Sequence, residues 1–149
     1  MGLVIPVNIH VKMNKNSSFF LLLIVLIAFT GCSDKQSLKG KITFSDDGSP
    51  LPVGEITFAT STCIARGNIN ADGSYAVGST GKKDGIPKGV YQVYIVGAEN
   101  VKVTFDKGVQ KSDRTPLIDA KYASAETSGL TFTADGSTRR FDIQVDRPK

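Results

Sequence analysis

Apolar residues recur at every second position in short runs along most of the chain. Leu38-x-Gly40-x-Ile42-x-Phe44 alternates with Lys39, Lys41 and Thr43, the pattern of a strand with one buried face. Glu55 to Ala59 alternates about Ile56 and Phe58. Cys63 to Asn70 puts Gly67 and Ile69 on one side and Arg66 and Asn68 on the other. The clearest run is Val90 to Gly97. Tyr91, Val93 and Ile95 share one face, and Gln92, Tyr94 and Val96 the other. Apolar groups on both faces predict a central strand or a covered outer face. Val101-x-Val103-x-Phe105 predicts a further strand. The alternation then lapses from Asp106 to Ser128, and returns in Leu130-x-Phe132 and Phe141-x-Ile143-x-Val145.

Turn chemistry separates these runs. Asp46-Asp47-Gly48-Ser49-Pro50 is a turn cluster, and Gly78 to Lys88 is a loop rich in Gly, Lys and Pro. Asp72-Gly73, between Ile69 and Tyr75, predicts a hairpin, because Gly takes the positive φ a tight turn needs. Asp135-Gly136 marks another turn. No long segment has helical periodicity. About seven short strands with turns between them predict an all-β fold, a single β-sandwich over residues 38–149. Fully burying a large apolar side chain contributes about 1.5–3 kcal/mol, so stripes of this number set tens of kcal/mol against chain entropy.

The N-terminal region follows a different rule. Phe19 to Phe29 is a short, continuous apolar run, well below the roughly 20 residues a spanning helix needs. Lys12 and Lys15 precede it, Thr30-Gly31-Cys32 follows, and Ser33-Asp34-Lys35-Gln36 is polar. A basic region, an apolar core and small residues form a secretory signal. This order resembles a bacterial lipoprotein signal peptide, with Phe29 where such signals usually carry Leu. The resemblance implies cleavage after Gly31, lipidation of Cys32 by acyl chains such as palmitate, and residues 32–37 as a lipidated tether. Residues 1–31 are then the signal peptide, with Met13 an alternative start to Met1. The alternative reading is an ordinary cleaved signal and an unmodified cysteine.

Charge and cysteine content narrow the chemistry. The formal net charge is +4, and removal of Lys12 and Lys15 leaves a small positive balance. Basic residues cluster only as Lys82-Lys83 and Arg139-Arg140. No nucleic-acid partner is expected, since that calls for a clustered basic face. With Cys32 acylated, Cys63 has no disulfide partner and is expected to pack as a small hydrophobe. The single histidine, His10, is lost with the signal, so neither a thiol–imidazole pair nor a Cys/His zinc set is expected. Asp46-Asp47-Gly48 and Asp72-Gly73 lack the spaced oxygen ligands of calcium loops. No metal and no cofactor are expected.

Three segments carry a resemblance to a known family. They are Gly40-Lys41-Ile42-Thr43-Phe44, Asp72-Gly73-Ser74-Tyr75, and Pro87-Lys88-Gly89-Val90-Tyr91-Gln92-Val93. Together they resemble carboxypeptidase regulatory-like domains, which implies a transthyretin-like (prealbumin-like) sandwich. The stretch from Pro116 to Tyr122 and on through Thr127 to Thr131 resembles the tail of small lipoproteins common in planctomycetes. Gly73 and Gly89 are expected to punctuate turns, and Tyr91 to tie down the adjacent loop through its hydroxyl.

Three functions remain to be weighed. The first is a non-catalytic, lipid-anchored cell-envelope module with a structural or binding role. Ser33 after the cysteine, in place of Asp, favours the outer membrane. The second is a carbohydrate- or peptide-binding surface protein, with an envelope protein or a glycan as partner. Tyr94 and Tyr122 are its candidate exposed aromatics. The third is a hydrolase. A related sandwich lineage hydrolyses 5-hydroxyisourate with histidines and a C-terminal Tyr-Arg-Gly-Ser. Here Asp146-Arg147-Pro148-Lys149 stands at that end, so the catalytic residues do not carry over. No catalytic residue is assigned, and the carboxylates Asp46, Asp47, Asp142 and Asp146 are expected to be solvated. Any partner contact is expected in Asp106–Gly129, with Leu117 and Ile118 as anchors and Lys121 and Tyr122 facing a ligand; the alternative is that all four serve packing alone.

Overall fold

The structure, a computed structural model, describes residues 35–149. The chain there is all-β. It runs β1 (Lys39–Phe44), β2 (Glu55–Ala59), β3 (Ile64–Asn68), β4 (Ser74–Ala76), β5 (Gly89–Val96), β6 (Glu99–Asp106), β7 (Val109–Pro116), β8 (Leu130–Ala134) and β9 (Ile143–Val145). A short 3-10 helix, Ala120–Ala123, precedes β8. The strands form a three-stranded sheet in the order β4-β1-β9, a four-stranded sheet in the order β3-β2-β5-β8, and a separate ribbon, β6-β7.

Alternation places the expected inward residues. Ile42, Phe44, Ile56, Phe58, Tyr91, Val93, Ile95, Phe132, Ile143 and Val145 are all buried. Phe58 sits at the centre, with its ring 6.3 Å from Tyr75 of the smaller sheet and 6.4 and 5.8 Å from Tyr91 and Phe132 of the larger. One core is thus shared by both sheets. Thr57 departs from alternation. It is buried although it faces away from Ile56 and Phe58, because Arg66 and Tyr94 flank it on the neighbouring strands. The position of β5 between β2 and β8 makes it an inner strand, as its two-faced apolar pattern predicts.

The smaller sheet is organised by β1, which pairs antiparallel with β4 and parallel with β9 (Ile42↔Ile143, Phe44↔Val145). Gly40 allows the chain before β9 to close on it. A Cβ there would lie 1.9 Å from the Phe141 carbonyl oxygen, which accepts the Tyr75 hydroxyl at 2.5 Å.

One turn expectation needs correction. Asp72-Gly73 makes a tight turn, with Gly73 at φ +78° and the Asp72 carboxylate accepting from Ser74 N–H. It does not join the strands of one ladder, because β3 and β4 belong to different sheets. Asp135-Gly136 likewise carries the chain from β8 to β9, across the sheets. The structured domain also takes in residues read as tether. Gln36 is buried, its amide donates to the Thr138 carbonyl at 2.6 Å, and its Oε1 accepts from Gly136 N–H.

A strand was missed where alternation lapses. Val109–Pro116 is exposed along its length and mostly polar after Val109, so no buried face marks it. The turn makes it a strand: Lys107 and Gly108 both have positive φ, +49° and +82°, the geometry of a two-residue hairpin loop.

Candidate functional site

Cys32, the expected lipidation site, lies outside the described residues. The remaining expected positions can be placed individually.

Tyr91 is buried on β5, and its hydroxyl donates to the Pro87 carbonyl at 3.0 Å, holding the loop that leads into the strand. Burial and the nearby Cys63 thiol push its phenol up to about 12. Gly89 lies at the first position of β5, opposite Ala134, and not in a turn. Cys63 is half-buried, and Thr60 Oγ1 accepts from its backbone N–H.

Lys121 and Tyr122 do not form an open pair. Asp119 caps the short helix by accepting from Lys121 N–H, which turns Tyr122 inward. Tyr122 is buried, with its hydroxyl donating to Asp146 Oδ2 at 3.0 Å. The Lys121 ammonium reaches the same oxygen at 2.6 Å and sits 4.8 Å from the Tyr122 ring centre. Asp146 therefore joins the helix to the end of β9, and Lys121, followed by Ser45 and Tyr122, lowers its pKa to about 2. Ile118 is buried and Leu117 packs against the core. Of the two candidate exposed aromatics, Tyr122 is therefore excluded and Tyr94 is half-buried.

The acidic turns have local partners. Arg147 bridges Asp46 and Asp47 at 2.9 Å each and lies over the Phe44 ring. Asp84 accepts from the backbone N–H groups of Ser79, Thr80 and Gly81 and from the Lys35 ammonium. That loop borders an open cleft of about 650 Å³, lined by Arg66, Lys82, Lys83, Glu55, Asn68 and Asn70. Its inward-turned N–H groups look like an anion cradle, but the chain's own Asp84 carboxylate fills it. Among the described residues, no three His, Cys, Asp or Glu side chains are grouped to hold a metal ion.

The remaining feature is the β6-β7 ribbon, of which sequence reasoning found one strand. Its exposed residues include Val101, Val103, Phe105 and Val109, at 51, 47, 74 and 69%. No core residue comes from either strand. The register pairs Val101 with Arg114, Val103 with Ser112 and Phe105 with Gln110. Val101, Val103 and Phe105 therefore form one apolar stripe, and Asn100, Lys102 and Thr104 form the opposite, polar face. Single exposed apolar residues are ordinary, whereas these three are adjacent on one face. Glu99 accepts from Arg114 at 2.8 Å and fastens the base of the ribbon.

No family model and no curated protein matches the chain. Among solved structures, a 9R-lipoxygenase from Cyanothece PCC8801 aligns with 77% of this chain at 17% identity and a TM-score of 0.34. The aligned part spans 17% of the lipoxygenase chain. A likeness that slight carries no argument about fold or chemistry.

Proposed function

We propose that this chain is a non-catalytic, lipid-anchored module of the cell envelope, acylated at Cys32, in which a transthyretin-like sandwich presents the β6-β7 ribbon as a contact surface. The observation that carries the reading is the division of apolar residues. The inward apolar residues of the two sheets form the core, with Ile64, Val90 and Val96 exposed on outer faces, whereas Val101, Val103 and Phe105 stand exposed together on one face of a ribbon that gives nothing to the core. A fold that buries its other large apolar stripes and leaves this one open has a surface suited to a partner. The signal-like order of Lys12, Lys15, Phe19–Phe29 and Gly31-Cys32 supports the anchor and favours the outer membrane. The partner contact expected at Lys121 and Tyr122 moves to the ribbon, since Asp146 engages both side chains.

Two measurements test the proposal. Mass spectrometry of membrane-extracted protein should find a chain starting at acylated Cys32, and a secreted chain with a free Cys32 thiol would remove the anchor. Substituting Val103 and Phe105 with Ser should leave the fold intact and weaken contacts made by the native protein. Unchanged contacts would remove the ribbon from the proposal.

A further inference from the structure

The ribbon has two open edges, and they are not equivalent. At its base the Leu117 N–H donates to the Ala98 carbonyl at 2.9 Å, which fixes the phase of the ladder. Bonded pairs alternate in an antiparallel ribbon. Asn100, Lys102, Thr104 and Asp106 therefore turn their backbone groups toward β7. Glu99, Val101, Val103 and Phe105 turn theirs outward, and these are the residues of the apolar stripe. On β7 the outward set is Gln110, Ser112, Arg114 and Pro116. That edge is polar and lacks a donor at Pro116, a known way to blunt a strand edge. The β6 edge has outward donors and acceptors beside exposed apolar side chains.

We propose that β6 pairs edge to edge with β6 of a second copy, antiparallel and centred on Val103. This inference rests on the ribbon being a contact surface and names its occupant. In this register Val103 faces Val103 of the second copy, and Val101 and Phe105 face each other twice. The two short stripes become one apolar cluster of six side chains. Charge fits as well. Glu99 comes beside Lys107 in the turn of the second copy, and on the polar face Lys102 lies between Asp106 and Lys102 of the second copy. Other registers seat fewer apolar pairs: centring on Thr104 pairs Val103 with Phe105 twice and Lys102 with Asp106, but leaves Val101 against Lys107 in the turn. Centring on Lys102 places the two lysines opposite each other and sets Phe105 against Glu99. Centring on Val101 sets Val103 against Glu99 and leaves Phe105 against Gly97. Opposed residues in an antiparallel ladder have Cα atoms about 4.5–5.5 Å apart, within reach of a disulfide.

The test is cross-linking of the full chain in membranes of the producing cells, in a Cys63→Ser background. Val103→Cys should give a disulfide-linked dimer on a non-reducing gel. Val101→Cys and Phe105→Cys should each give little alone and should cross-link to one another when co-expressed. Phe105→Asp should weaken self-association of the detergent-solubilised chain about tenfold or more, by setting a carboxylate in the apolar cluster. An equally efficient Val101→Cys homodimer would overturn the register. A monomer in sedimentation, with no Val103→Cys dimer, would overturn the second copy. If a bimane label at that cysteine were then quenched by doxyl-lipids in reconstituted vesicles, the ribbon would be a bilayer contact and the contact-surface reading would stand. With neither cross-link nor quenching, and with native contacts unchanged by Phe105→Asp, both readings would fall.

Discussion

The four-stranded sheet and the ribbon are both antiparallel β-structure, yet different forces hold them. In the four-stranded sheet, β5 lies between two neighbours and its inward residues are fully covered. In the ribbon, β6 has one neighbour, and its equally apolar stripe is half to three-quarters exposed. The four-stranded sheet is held by side-chain burial. The ribbon is held by its ladder, by the positive-φ pair Lys107-Gly108 and by the Glu99–Arg114 bridge. A two-stranded ribbon is only marginally stable by itself. The comparison teaches that alternation reports the capacity to bury a face, and the topology decides whether that face is buried within the chain.

This contrast orders the expected effects of substitution. Phe58→Ala, at the meeting point of rings from both sheets, should destabilise the fold by about 3–5 kcal/mol in chemical denaturation. A loss below about 1 kcal/mol would show that the two sheets do not share a core. Tyr91→Ala should lose about 3 kcal/mol or more, since it removes a buried ring together with the Pro87 bond. Tyr75→Phe keeps the ring and deletes only the hydroxyl that reaches the Phe141 carbonyl. It should lose about 1–2 kcal/mol, which double-mutant comparison with Tyr91→Phe would sharpen.

Acid should act through a narrower set of groups. The Asp146 and Asp47 carboxyls are held at about 2, below the ordinary 3.8, chiefly by Lys121 and by Ser49 respectively. Their contribution to stability is therefore present above the ordinary value and is lost as pH falls toward 2. The melting temperature should drop over that window, less steeply in Asp146→Asn than in the native chain. Equal slopes would mean that the Lys121–Asp146 contact is not maintained in solution. The smallest effect belongs to the ribbon. Phe105→Ser should change stability of the isolated chain by no more than about 0.5 kcal/mol, despite removing a large apolar ring. A larger loss would show that Phe105 is covered within its own chain.

The sequence was readable where one local rule suffices. The β1, β2, β5 and β8 stripes follow from period-two alternation, and their inward residues form the core. Partner choice was not readable. Nothing local says that β9 lies parallel to β1, or that Asp72-Gly73 crosses between sheets, because both depend on contacts far apart in sequence. Strand β7 was invisible for the opposite reason: it has no buried face, and only its register with β6 defines it. Buried loop residues such as Leu51 and Ile86 carry no periodic signal either. At the site, the lapse of alternation around Tyr122 gives no sign of which way its ring faces. Its burial becomes tolerable only through Asp146, 24 residues later, whose carboxylate accepts the hydroxyl.

The parallel pairing of β1 with β9 bears on how the domain would carry mechanical load. Lys39 begins β1 at one end of the pair and Val145 finishes β9 at the other. Tension applied between the two ends of the domain would therefore slide the strands along each other. The slanted bonds of a parallel ladder would all be strained at once, in shear, and none could open ahead of the rest as in a zipper. The ribbon lies outside that line of force, since β6 and β7 bond to neither strand. A pull through the N-terminal side would thus be borne by the three-stranded sheet and not by the ribbon.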